Sequence, residues 1–300
     1  MSGALEAPGV ALTAAGLIAL RPLALSGAAG TTATALPGAF RTRRRGQGHE
    51  IADLREYVPG DDLRHIDRGA TARTGTPHVR TFEEERDRVT FLVADFRPPM
   101  LWGLSRAFLS VAAAEALVLI GWRAVEDGGR VGLLAMGAGA PTVVPVRGRT
   151  RGMLELIGGL VRAHAVALGD ATAAVPPMDR DLGRLARIAP RGGEIVIASN
   201  FEETGEGIEA ALGDLARRGR LRLLRVGEGL TDRLPGGSYP IRRPDGARMR
   251  VRVGGYARPP EPSPRIAGQG PTTIDAALPV AALARQIAGT GGEARWPRAR

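Results

Sequence analysis

The sequence has no cysteine and no lysine, and its first forty residues carry only Glu6 and Arg21 as charges. Without cysteine there is no disulfide framework, no thiolate chemistry and no Cys-rich metal site. That composition suits a reducing compartment, and a cytoplasmic location is expected. The four histidines, His49, His65, His78 and His164, show no metal-ligand spacing. All 41 basic residues are arginine; with so much alanine and glycine, this is what GC-rich coding produces. The N-terminus has an acid where a signal peptide wants basic residues, and "VALTAAGLIAL" is too short to span a bilayer. The longer apolar run, residues 107–122, contains Glu115 and reads as a buried helix, so no membrane span is expected.

What is present is charge, unevenly placed. Residues 41–87 hold ten arginines and ten acids, whereas 215–265 hold thirteen arginines against four acids, which is most of the net +10. The remaining 44% apolar content is enough for a sizeable core.

The chain divides into a low-charge segment 1–40, a charged segment 41–88, a core 89–230 and a C-terminal part 231–300. "YVPGDD" predicts a turn, with Pro59 presetting φ and Gly60 taking the positive φ, followed by a short helix capped by Asp61 or Asp62. "PHVRTFEE" alternates like a strand. "RVTFLVAD" is a continuous apolar run, as expected of a strand covered on both faces, and it stops on Asp95. Helices are then expected near 102–126, 150–166, 179–188 and 207–219, alternating with strands "RVGLLAM", "PTVVPV", "GEIVIASN" and "RLRLLRV". Such alternation predicts an α/β fold with a doubly wound, mostly parallel sheet. A hairpin "YPIRR-PDG-ARMRVRV", a Pro-rich linker and a final helix through "TTIDAALPVAALARQIAG" complete the chain.

The run "RRRGQGHEIADLREYVPGDDLRHIDRGATARTG", followed by "FEEERDRVTFLVAD", closely resembles the signature of the bacterial domain-of-unknown-function 58 family, a branch of the von Willebrand factor A-like proteins. The signature covers about residues 40–100, with looser agreement to about 230. The resemblance implies a von Willebrand A-type core behind a charged segment. It also implies a partner, because genes of this family commonly accompany those of MoxR-type AAA+ ATPases that act in assembly or remodelling. The family usually has tryptophan where this chain has Arg68.

The first strand of a von Willebrand A domain usually leads into Asp-x-Ser-x-Ser, whose oxygens hold a divalent cation. Here those positions read Asp95, Phe96, Arg97, Pro98, Pro99. Arg97 places a cation where the metal would lie, and Pro99 has no hydroxyl. Asn200 stands where an acid is often found after the later strand, and Thr150 is the nearest guess for a threonine ligand. Mg²⁺ demands hard oxygens. A degenerate, metal-free adhesion site is therefore expected, with Asp95 pairing with Arg97 or capping the next helix. No cofactor is expected.

The charged block raises three readings. Arg55, Asp61, Asp62, Arg64, Asp67, Arg73, Glu83, Glu85 and Arg86 show no nucleophile–base pair that would make a catalytic group. They read either as a salt-bridged subdomain, with Asp67 and Arg73 a candidate buried pair, or as a partner surface that includes Pro59 and Gly60 and has Tyr57 as an amphipathic anchor. Further on, Arg248, Arg250 and Arg252 fall on one strand face, with Met249, Val251 and Val253 on the other. That row is either a docking row for acidic protein or nucleic acid, or a solvated edge that discourages aggregation; no aromatic interleaving accompanies it. The expectation is a non-enzymatic interaction module, with binding of nucleic acid or an acidic partner by the arginine-rich part as the alternative. A metal-dependent enzyme or adhesion module is disfavoured by the 95–99 loop.

Overall fold

In the computed structural model the described residues are 7–26, 51–82, 88–229, 236–242, 248–253 and 270–289. The chain forms two units, one of residues 1–32 with 88–300 and a smaller one of residues 33–87.

The small unit pairs β1 (Ile51–Glu56) antiparallel with β2 (His78–Phe82). Between them, Gly60 has φ +109° and the Asp61 amide donates to the Val58 carbonyl at 3.0 Å, which is the Pro-Gly turn read from the sequence. The single capped helix expected next is split in two. Asp62 caps a 3-10 turn (Leu63–His65), and α3 (Arg68–Thr74) starts afresh with Asp67 accepting from the Ala70 amide at 2.7 Å.

In the large unit α1 (Ala14–Ile18) and α2 (Arg21–Ser26) precede a six-stranded sheet. Its strands are β3 (Val89–Asp95), β4 (Arg130–Met136), β5 (Thr142–Gly148), β6 (Glu194–Ser199), β7 (Arg220–Gly227) and β10 (Thr272–Asp275), in spatial order β10-β7-β6-β3-β4-β5. All pairs are parallel except β4–β5. The central strands are buried on both faces, which is why they read as unbroken apolar runs.

One face carries α4 (Leu109–Glu126), α5 (Arg149–Gly169) and α8 (Val280–Gly289); the other carries α6 (Asp179–Ile188) and α7 (Ile208–Arg218). From Leu109 to Trp122 every α4 residue but Glu115 is buried, so this helix is apolar all round. It starts at Leu109 and not near 102, because Pro98–Met100 forms a 3-10 turn and residues up to Phe108 wrap over the sheet edge. Among the described residues one helix, Arg149–Gly169, is long and apolar enough to cross a membrane by length and composition. Its Met153, Leu156, Ile157 and Leu160 are packed into the core.

One element differs from the sequence expectation. "TTID" is not the start of the last helix but the edge strand β10, parallel to β7. Its β-branched residues suit a pleated surface, and Ile274 is fully buried. The hairpin is present as β8 (Gly237–Arg242) and β9 (Arg248–Val253); its Asp-Gly turn and the Pro-rich linker lie outside the described residues.

Asp67 and Arg73 do not form a buried pair. They sit at opposite ends of α3, and Arg73 is exposed in the last turn. The expected outcome is that Asp67→Ala lowers the stability of the small unit by about 1 kcal/mol through the lost cap, whereas Arg73→Ala has almost no effect. Urea midpoints of the two variants check this; equal losses would show a coupled pair instead.

Candidate functional site

The parallel strands end together on one edge of the sheet. Asp95 is level with Met136, Ser199 with Arg225 and Asp275 with Gly227. In such a sheet this is where ligands are bound. Here the edge is closed by one guanidinium.

Asp95 and Arg97 are both fully buried. Arg97 Nε donates to Asp95 Oδ1 at 2.9 Å and Nη2 to Asp95 Oδ2 at 2.8 Å, a bidentate fork. The other donors reach carbonyls: Nη1 to Pro176 (2.9 Å) and Glu203 (2.7 Å), Nη2 to Glu202 (2.9 Å). All five guanidinium N–H groups thus have acceptors. The carboxylate is used equally fully, since Oδ1 also accepts from the Arg97 amide (3.0 Å) and Oδ2 from Ser199 Oγ (2.6 Å). Burying two charges is tolerable only with partners as complete as these. Asp95 therefore does what the sequence expected of it: it pairs with Arg97.

Two carbonyls come from a strained loop. Phe201 and Glu203 have φ of 59° and 48°, left-handed values that L-residues adopt at a cost of order 1–3 kcal/mol each. That conformation lets the Glu202 and Glu203 carbonyls converge on Arg97. Asn200 stitches the two loops of the edge together. Its Nδ2 donates to the Pro99 carbonyl at 3.1 Å, while Oδ1 accepts from the Glu202 amide at 3.2 Å. Pro99 contributes no side-chain oxygen, only this carbonyl.

Thr150 does not belong to this site. Because β5 is antiparallel, Gly148 lies beside Arg130, the start of β4, whereas Asp95 lies beside its end. The six residue steps from Arg130 to Met136 put Thr150 near the opposite edge, roughly 20 Å away.

In the small unit Arg55 and Asp61 form a second fork, with Nη1–Oδ2 of 2.7 Å and Nη2–Oδ1 of 2.5 Å; Asp61 also accepts from the Val58 amide. Asp62 and Asp67 are engaged as caps, so with Asp61 these three acids are turned to local structure. Arg64 (90% exposed), Arg68 and Arg73 are turned outward. Tyr57 is half-buried and its amide donates to the Pro77 carbonyl; Pro59 and Gly60 are exposed at the tip. Glu83, Glu85 and Arg86 lie outside the described residues. Arg250 and Arg252 are exposed on β9, with the backbone of Arg250 opposite Pro240; the side chain of Arg248 is not described. Met249, on the other face, is also exposed, so the strand has no buried side at that position.

A model of the family described as protein of unknown function DUF58 matches residues 53–249. The chain belongs to the DUF58 family. Relatives include the uncharacterized proteins Rv1480 of Mycobacterium tuberculosis (strain H37Rv) and Mb1516 of Mycobacterium bovis, each 36% identical over 162 residues, 52% of this chain and 48% of theirs. This DUF58 chain thus spans about half the length of the curated relatives it matches. Among solved structures, the conserved hypothetical protein BatB from Bacteroides thetaiotaomicron gives a TM-score of 0.42 at 15% identity, over 68% of this chain and 98% of that one. A von Willebrand factor type A protein from Catenulispora acidiphila gives 0.37 at 17% identity, over 49% and 34%. The DUF58 match bears out the resemblance carried by residues 40–100.

Four groups at the site or beneath it escaped the sequence reading. Ser199 was findable, one residue before Asn200 at a strand end. Glu228, buried at the end of β7, accepts from the Leu104 amide (2.6 Å) and Ser105 Oγ (2.8 Å). Ser110 and His164 are buried on α4 and α5 with Oγ and Nε2 2.9 Å apart, and Phe96 meets the imidazole edge-on. Burial lowers the His164 pKa to about 4. Sequence separation hides all such pairs.

Proposed function

We propose that this DUF58 protein is a non-enzymatic interaction module that works beside a MoxR-type AAA+ ATPase, and that its strand-end loop is a metal site rebuilt around an internal ion pair. The observation that carries this reading is the complete engagement of Arg97 and Asp95 with each other and with the surrounding loops. A divalent cation needs several hard oxygens free to coordinate it. Both Asp95 oxygens are taken, Pro99 has no hydroxyl, and the Arg97 guanidinium fills the position with positive charge. The donor set does not fit a divalent ion.

Nor does the Ser110–His164 pair support catalysis, since both residues are buried in the helical layer. What remains is contact. Arg97 itself is buried and cannot be the contacting cation; Arg64 is exposed and can. Exposed Arg250 and Arg252 favour the second reading, an acidic or nucleic-acid partner.

Co-expression with an ATPase encoded beside this gene should give a complex that weakens as salt rises. Arg64→Glu should weaken it without moving the melting temperature of the free protein. Mg²⁺ and Mn²⁺ should produce no saturable thermal shift. No complex at low salt with nucleotide present, together with salt-dependent retention on heparin, would transfer the function to the arginine row.

A further inference from the structure

We infer that the face formed by the 101–106 loop and the 202–206 loop docks a basic, apolar-tipped segment of a protein partner, with Trp102 and Leu104 as the anchors. The inference rests on the interaction-module reading and assigns it a surface that neither the charged block nor Arg97 supplies.

Trp102 and Leu104 are 37% and 46% exposed. Large apolar side chains at a surface are ordinary when their loop is loose; this loop is held from four sides. The Trp102 carbonyl accepts from the Leu109 amide at 2.8 Å, at the start of α4. Glu228 takes the Leu104 amide and the Ser105 hydroxyl. Arg106 Nε donates to the Ala276 carbonyl at 3.0 Å, and its guanidinium pairs with Glu115 at 2.8 Å. Gly103 allows the tight path, because a Cβ there would collide with the Ala107 backbone. The loop is therefore preorganised, and its indole and isobutyl groups stay in water although the core is adjacent. Rigid, exposed aromatic anchors are the usual centre of an interface.

Charge selects the partner. Asn200 bonds the Glu202 amide and the Pro99 carbonyl, which lies just ahead of the 101–106 loop, and beyond it Glu202, Glu203 and Glu206 are exposed on a chain whose net charge is +10. Burial, and then the neighbouring Glu203, raise the Glu202 pKa; Arg225 and Arg97 offset this only in part. Arg97 is already neutralised by Asp95. An incoming lysine or arginine relieves that crowding, while an acidic segment meets repulsion.

The test uses the full chain and two synthetic peptides of leucine interspersed with arginine or with glutamate, followed by titration calorimetry. The arginine peptide is expected to bind at least about tenfold more tightly than the glutamate one. Trp102→Ser with Leu104→Ser should weaken it about tenfold or more, and Glu202→Gln/Glu203→Gln/Glu206→Gln should abolish its salt dependence. Gln keeps the backbone carbonyls that hold Arg97, and urea midpoints should match wild type. Equal binding of both peptides, or variants that bind like wild type, overturns the inference. So does a self-association, seen by sedimentation, that these variants dissolve, since the occupant is then a second copy. The same variants in the ATPase co-expression separate the two readings. A complex with wild type that every variant retains overturns this docking face and leaves the ATPase reading standing. Peptide results as expected, with no ATPase complex, uphold the face and remove that ATPase.

Discussion

Replacing Arg97 with methionine is expected to destabilise the large unit by about 3–5 kcal/mol, the largest effect of any single substitution at the sheet edge. The change leaves Asp95 charged and buried with only Ser199 and the backbone amide of residue 97 as donors; it takes the guanidinium from the Pro176 and Glu202 carbonyls and leaves the Glu203 carbonyl with the Met178 amide alone. Asp95→Asn should cost less, because an amide oxygen still accepts and the arginine keeps its three carbonyls. The double variant should be less destabilised than the sum of the two, since removing both charges removes the unpaired-charge penalty. Urea midpoints of the three proteins measure this coupling. Additive losses, or an Arg97→Met midpoint equal to wild type, would show that the pair is solvated. The strained 201–203 loop supplies a second readout. Without the guanidinium the Glu202 carbonyl loses its tie to the strand end and the Glu203 carbonyl keeps only the Met178 amide, so amide exchange there should accelerate beyond the rest of the sheet.

The second large effect is an acid-induced loss of stability from His164. Its imidazole is buried among apolar side chains, with the Ser110 hydroxyl at Nε2 and Phe96 against the ring. Desolvation lowers its pKa from 6.5 to about 4. Above pH 6.5 the imidazole is neutral whether the chain is folded or not, and the site is free of cost. Between pH 6.5 and about 4 only the unfolded chain takes up the proton, so stability falls throughout that window and levels off below it. A depression of this size corresponds to roughly 3 kcal/mol when the loss is complete. His164→Gln removes the titration and can still bond Ser110. The difference in urea midpoint between wild type and this variant should therefore move in the variant's favour as pH is lowered from 7 to 4. A constant difference would mean that solvent reaches the ring in the folded protein.

How far the chain could be read before folding depends on the range of the interaction. The buried strands β3, β4, β6 and β7 and helices α4 to α7 were legible, because burial on both faces or on one stripe writes a local pattern. The Val58–Asp61 turn, the Asp62 cap and the Asp95–Arg97 pair were legible too, since their partners lie within three residues of one another. Everything that depends on which strand lies beside which was decided by the tertiary structure. "TTID" carries too short a signal to declare itself a sheet edge; it becomes β10 only because β7 offers it a partner. The antiparallel course of β5, which sends Thr150 to the far edge, follows from its pairing with β4 and not from its composition. The charged block is neutral in sequence, yet Asp61, Asp62 and Asp67 are engaged in a fork and two caps, Arg55 is held in that fork, and Arg64, Arg68 and Arg73 face water. The guanidinium of Arg97 could be named in advance as a cation at the strand end. That it would be met by carbonyls from residues 79 to 106 positions away could not, because backbone carbonyls are the same at every residue and only the fold aims them.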